Sequence, residues 1–428
     1  MFHRVGFVLL VAARASGLLL PLAPFDHNLI HLDAFARTQL EQQVQIKESC
    51  EHFNSPLIFN VRKWLVPNAN ADDGYKSSLT YKAPTEGEIK ILQQALKALY
   101  SNKDPFKAEP LLTKAIAAWD DNKPPDERAA LYHVRADCYM AMNRPNEAIP
   151  DFNTAVDLLK IPDAWESASV EEKQSTFLGR ARAIRSKGVT TVTRDMKEQA
   201  VEDYKIALRL LARGDDEDYD SDDVRIVDGM LRNPYAAWEW GMAKRDTGDY
   251  VGAAATHKLA SDSFLEIGDK ARAVISDLDA GIDLAATEDI DDAIEQLSEA
   301  ILYTTAVEGR DVKLLQRVIA KEGEARIALA SLLWQAGEKV QAEEQLATAC
   351  VRLEQLEADD IAKKGITQGK TDPLVFTTGY SIDDVLGAGQ TSCSRFKNSK
   401  FISETLGWPE PLQRKLFKFQ RFDTTKDS

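Results

Sequence analysis

Apolar residues recur along most of this chain three and four positions apart, with charged residues between them, which is the period of a helix with one buried face. The clearest stretch is NRPNEAIPDFNTAVDLL, residues 143–159, where Ala148, Phe152 and Ala155 share a face. Two small residues bracketing an aromatic make a poor stripe for a solitary helix. They fit a helix with neighbours lying very close. The same triplet recurs as Ala108/Leu112/Ala115, Ala200/Tyr204/Ala207, Ala253/His257/Ala260, Ala293/Leu297/Ala300 and Ala342/Leu346/Ala349. Ahead of each triplet runs a second helical pattern centred on a small residue, such as Ala136, Gly241 or Gly281. Turns reading NRPN, TGDY, TEDID and AGEK separate the two, with Gly or Asn closing the first helix and Asp or Pro opening the second. Self-similarity at a period of tens of residues marks a stacked array. The pattern predicts an all-α fold, an α-solenoid of about six helical hairpins over 86–357.

This pattern resembles the tetratricopeptide repeat family. Tyr132, Ala136, Tyr139, Ala148, Phe152 and Ala155 stand at its signature positions in the second repeat, with Pro162 soon after. Gly241, Ala253 and Ala260 do so in the fourth, with Trp240 ahead of the glycine. Small residues let the two backbones approach, and the aromatic fills the space between repeats; no repeat can bury its face alone. The departures are in length. Successive leading alanines are 40, 52, 53, 40 and 49 residues apart, against about 34 in the family. The excess lies between repeats and, in the third, also between its two helices (188–197). Pro110 and Pro150 occupy the same place in the first two second-helices, which predicts helices that start late or bend. His257 stands where an aromatic is usual and is read as packed.

The resemblance implies a right-handed, curved array whose first helices line a groove for an extended peptide or a helix. In the family's register the lining residues are His133, Asp137 and Met140, then Leu178, Arg182 and Arg185, then Tyr235, Trp238, Met242 and Arg245. Aromatic and methionine side chains beside arginines suit an acidic or mixed peptide, and Trp, Tyr and Arg are common anchors of interfaces. A Trp238 packed between repeats is the competing reading. Gln93, Lys97, His133 and Asp137 stand where the clamp for chaperone C-terminal carboxylates would be, so a heat-shock co-chaperone is not expected.

Residues 1–24 carry one early Arg and the apolar run VGFVLLVA, too short to span a bilayer but suited to a signal peptide. Residues 25–85 lack sustained periodicity and read as a spacer. The pair resembles the two-part targeting sequence of proteins entering complex plastids, with Phe25 or the Ala69-Asn70-Ala71 site as processing points; the endomembrane lumen or secretion is the alternative. Residues 358–428 begin loop-like and end basic and aromatic, with Leu412, Leu416 and Phe419 at helical spacing. They predict a capping helix or, alternatively, a peripheral surface helix for an acidic partner or membrane. Cys393, Arg395, Phe396, Trp408, Pro409, Leu412, Lys415, Leu416 and Phe419 resemble the ending of thylakoid-lumen-type repeat proteins, a group with no defined activity to transfer.

Composition narrows the function. A net charge of −15 argues against non-specific nucleic-acid binding, which rests on cations neutralising phosphates. The four cysteines are far apart, so a zinc site is not expected. Cys138 and Cys350, beside Ala and Leu, read as small hydrophobes, with a disulfide among the four left open. The acidic run GDDEDYDSDD, 214–223, lacks the EF-hand frame and reads as a solvated loop. No phosphate-binding, metalloprotease or nucleophile-elbow motif occurs, and four of the six histidines precede residue 53. No catalytic residues, metal or cofactor are expected. Two readings follow: a scaffold or assembly factor binding a protein or peptide in the groove, or a permanent subunit of a larger, photosynthetic-type membrane complex held through insertions and tail.

Overall fold

The computed structural model describes residues 81–82, 84–119, 123–187, 191–212, 222–307, 312–364 and 393–423. The targeting segment 1–24, nearly all of the spacer, most of the acidic run and the stretch 365–392 lie outside them. Among the described residues the fold is all-α and solenoid-like, with no strand.

Six hairpins follow one another among the described residues: α1 (Glu86–Leu96) with α2 (Pro105–Ala118), α3 (Pro125–Ala141) with α4 (Pro145–Leu159), and α6 (Val170–Ser186) with α7 (Arg194–Leu211). Then come α9 (Pro234–Thr247) with α10 (Tyr250–Glu266), α11 (Lys270–Leu284) with α12 (Ile290–Thr304), and α13 (Val312–Ala336) with α14 (Lys339–Lys364). Two inserted helices absorb extra length between hairpins. These are α5 (Pro162–Ser167), against α3 and α4, and α8 (Asp222–Arg232), against α7 and α10. The last described helix, α15 (Glu410–Asp423), packs on α13. The array helix α14 runs to Lys364, beyond the boundary at 357 expected from the pattern.

Local chemistry sets these boundaries. Thr85 and Ser169 form capping boxes with Glu88 and Glu172, each pair satisfying two orphan amides. Asp104, Asn233, Asp249, Asp269 and Asp289 accept from the third backbone N–H of the helices they open. Asn143 (φ 57°), Gly248 (φ 92°) and Gly337 (φ 92°) supply the left-handed residue that turns the chain between paired helices. The expectation that Pro110 and Pro150 delay their helices does not hold. Pro105 and Pro145 already occupy the first turns, where a missing N–H costs nothing, and the later prolines lie inside.

The signature residues are the contact points. Every Ala of the six triplets is 0–1% exposed, and Leu112, Phe152, Tyr204, His257 and Leu297 are sealed between helices. Leu346 is only half-buried, because no further hairpin covers α14 among the described residues. Small residues are needed where helices meet. A Cβ on Gly241 would lie 2.5 Å from His257 Nε2, and one on Gly281 2.6 Å from Leu297 Cδ2. The core is therefore a series of layers between successive helices, as stacking of single hairpins requires.

Candidate functional site: a polar ladder along the first helices

The first helices of the hairpins carry side chains that join each one to the next, and the joints form a ladder from α3 to the C-terminal segment. At its start, His133 on α3 places Nδ1 2.8 Å from Thr176 Oγ1 on α6, and Nε2 3.4 Å from Asp137. Phe152 closes on the same imidazole edge-on, 5.5 Å between ring centroids. Helix α6 then reaches α9: Arg182 donates to both Glu239 oxygens at 2.8–3.1 Å, and Arg185 Nε to Asp246 at 3.0 Å. Burial works to lower both arginine pKa values, but the facing carboxylates outweigh it and raise them.

The centre of the ladder joins α9, α10, α11 and α13. Trp238 Nε1 donates to Asp279 Oδ2 at 2.9 Å, and Arg245 Nη2 donates to the Asp279 carbonyl and carboxylate, each at 3.1 Å. Arg245 Nε pairs with Asp283, whose other oxygen lies 2.7 Å from His257 Nδ1 on α10. From the far side, Lys321 Nζ on α13 sits 2.7 Å from Asp279 and 3.0 Å from Glu324. Trp408, in the segment before α15, ends the run by donating its indole N–H to Glu324 at 2.6 Å. All of these groups are buried. Burial alone would raise the Asp279 pKa; Lys321 and Arg245 overcome it and hold the carboxyl well below its usual range. Glu324 goes the other way: burial raises its pKa despite Lys321.

These positions change the reading of the residues expected to line an open groove. Trp238 (7% exposed), Arg245 (3%), His133 and Met242 are buried, so they hold hairpins together and present no open lining. The physical reason is partner supply: Asp279, Asp283 and Thr176 on the neighbouring helix draw these polar tips inward. Leu178 is buried as well. Arg182 (35% exposed), Arg185 (21%) and Asp137 (28%) keep an accessible edge. Met140 and Tyr235 are half-buried, Tyr235 meeting Phe264 edge-on at 5.2 Å with the Arg272 guanidinium over its ring. Beside Arg185 a cleft opens between α6, α7 and α9, lined by Ile184, Val192, Lys197, Ala243 and Asp246. Glu239, Asp246, Asp279, Asp283, Lys321 and Glu324 escaped the sequence reading. Their one local sign is the Asp279/Asp283 pair at i, i+4 in DLDAGIDL, which puts two acids on one helix face.

Other chemistry is sparse. Among the described residues no group of three His, Cys, Asp or Glu could hold a metal ion, and no helix is long and apolar enough to cross a membrane. Cys138 is a buried free thiol whose pKa burial pushes up to about 12. Cys350, read from sequence as a small hydrophobe, is instead bonded to Cys393, with their Cα atoms 5.1 Å apart. Spacing cannot pair cysteines that lie 43 residues apart.

One carboxyl outside the ladder yields a pH prediction. Burial pushes Asp277 on α11 up to about 6, with Asp262 and Glu299 adding to the effect and Lys258 and Ser261 opposing it. A folded pKa above the unfolded one means that the proton favours the fold. Its contribution is full below about pH 4 and lost as pH rises through about 6. At pH 7.5 the ionised side chain opposes folding, so Asp277→Asn should stabilise the protein by roughly 1–2 kcal/mol there, after allowance for partial exposure, and by almost nothing at pH 4. Urea melts of both proteins at the two pH values check this; an equal gain at both would put the effect down to something other than charge. Comparison with known proteins finds no matching family model and no similar curated protein.

Proposed function

We propose that this chain is a non-catalytic interaction scaffold or assembly factor of tetratricopeptide type, taking an acidic or mixed segment of a protein partner along its first helices. One observation carries the reading. Arg182 and Arg185 are oriented by buried or nearly buried acids and keep exposed edges, and Arg185 lines an apolar-walled cleft that also holds Lys197. A guanidinium already fixed by one carboxylate has little freedom left to lose when a second acceptor arrives. The family resemblance supports the same face.

The Cys350–Cys393 bond favours an oxidising compartment, since disulfides persist there and are rare where thiols are kept reduced. With the N-terminal pattern, this supports entry through the secretory route and residence in a plastid, thylakoid or endomembrane lumen. The alternative of a permanent subunit gripped by its tail is weakened, because Leu412, Leu416 and Phe419 are buried within the molecule.

The test is a pull-down with the full chain beside Arg182→Lys/Arg185→Lys, which keeps Glu239 and Asp246 charge-paired but removes the planar fork. A partner identified by mass spectrometry should bind the wild type at least about tenfold more tightly than the helical, folded variant, about 1.4 kcal/mol. Equal retention by both would move the contact elsewhere on the molecule.

A further inference from the structure

Eight residues after its leading Ala, the second helix of each hairpin from the second to the fifth buries a side chain: Val156, Leu208, Ser261 and Ile301. In the last hairpin that register position is Cys350, and the group covering it is Cys393. A disulfide therefore stands where a buried side chain stands in those four hairpins. It fastens a small module, residues 393–423, in which the Phe396 ring packs against both Phe401 and Trp408.

That module does not lie over α14 alone. Its helix α15 crosses to the first-helix layer, where Leu412, Leu416 and Phe419 are buried and Phe419 meets Trp334 of α13 at 5.4 Å. Trp408 bonds Glu324 of α13, and Lys415 Nζ donates to the Ala285 and Thr287 carbonyls just past the end of α11, at 2.9 and 2.8 Å. The C-terminal module is thus an internal occupant of the layer formed by α11 and α13.

We propose that the Cys350–Cys393 bond is a thiol-exchange latch on this occupant: a dithiol reductant opens it, the module leaves its seat, and the first-helix layer of the last two hairpins becomes available. Both cysteines are half-buried rather than sealed, so a reductant has access. The exchange breaks the S–S bond, leaves two thiols on this chain and makes a disulfide of the reductant; two electrons and two protons are transferred. Without the bond the module's covalent tie to the array runs through residues 365–392, and closing the 43-residue span costs entropy that the disulfide had removed. Loop-closure entropy of that size corresponds to a rise in module opening of roughly 100- to 1,000-fold. The inference rests on the proposed function in taking the first helices as the partner face, but its test needs no partner.

The experiment is hydrogen exchange on the full chain, oxidised and after dithiothreitol. Amides of 399–423 should lose protection by about 100-fold or more on reduction, while those of 125–304 keep theirs. Cys393→Ser should show the same loss without reductant, and dithiothreitol should then add nothing. Unchanged protection over 399–423 would mean that apolar contacts alone seat the module, and the latch is wrong. Equal loss through 125–304 would make the bond a staple of the whole fold. Four free thiols in the unreduced, denatured chain would overturn it at the outset.

Discussion

Asp279→Ala should cost about 3–5 kcal/mol, the penalty for leaving buried charges without their partner. The carboxylate takes Trp238 from one side, Arg245 from the same helix and Lys321 from the other, with almost no solvent access. Its removal leaves two cations and an indole N–H short of an acceptor, and water cannot reach them easily. Asp283 and Glu324 still hold Arg245 and Lys321 in part, which keeps the loss from running higher. The pH dependence follows from the depressed pKa. A carboxyl held below its usual range stabilises the fold fully above about pH 4, and the benefit fades as pH falls toward the folded value. The gap between wild type and variant should therefore be constant from neutral pH to about 4 and narrow below it. Urea denaturation read by circular dichroism gives both numbers, and a loss under about 1 kcal/mol would show that water penetrates the ladder.

Phe152→Ala should cost about 3–5 kcal/mol, as emptying a sealed aromatic site does. The more telling result concerns Gly179 on α6. A Cβ there would sit 2.4 Å from Phe152 Cε1, so Gly179→Ala in the wild type should cost about 1–3 kcal/mol through overpacking. In the Phe152→Ala background the methyl enters vacated space, and Ala is a better helix former than Gly by about 1 kcal/mol. The sign should reverse, making the second substitution stabilising. A double-mutant cycle measures this directly, and additive costs would mean that α4 and α6 separate enough to decouple the pair.

The contrast between these two sites shows what was legible in the chain. Phe152 and its flanking alanines announce themselves because their spacing is local and repeated; helix geometry alone places them on one face, and the structure seals that face. Arg182, Arg185, Trp238 and Arg245 were equally visible as residues, but their roles were not. Whether an arginine faces solvent or an acid depends on which helix comes to lie opposite, and Arg245 meets Asp283 across 38 residues while Trp408 meets Glu324 across 84. Inserted helices α5 and α8 lengthen the chain between other partners, His133 with Thr176 and Arg182 with Glu239, without altering the stack, so no fixed period reports the pairings. The Cys350–Cys393 pairing was hidden for the same reason.

The ladder also has a direction. Helix α6 offers cations to acids on α9; α9 in turn offers Trp238 and Arg245 to acids on α11; α13 reverses the sense by giving Lys321 back to α11. From the third hairpin to the last, each therefore carries an address written in charge that its neighbour completes. A hairpin without these acids in place of the fifth would still match in its alanines, yet would deprive Trp238, Arg245 and Lys321 of the carboxylates they meet on α11. The hydrophobic pattern repeats from unit to unit, and the buried charges tell one neighbour from another.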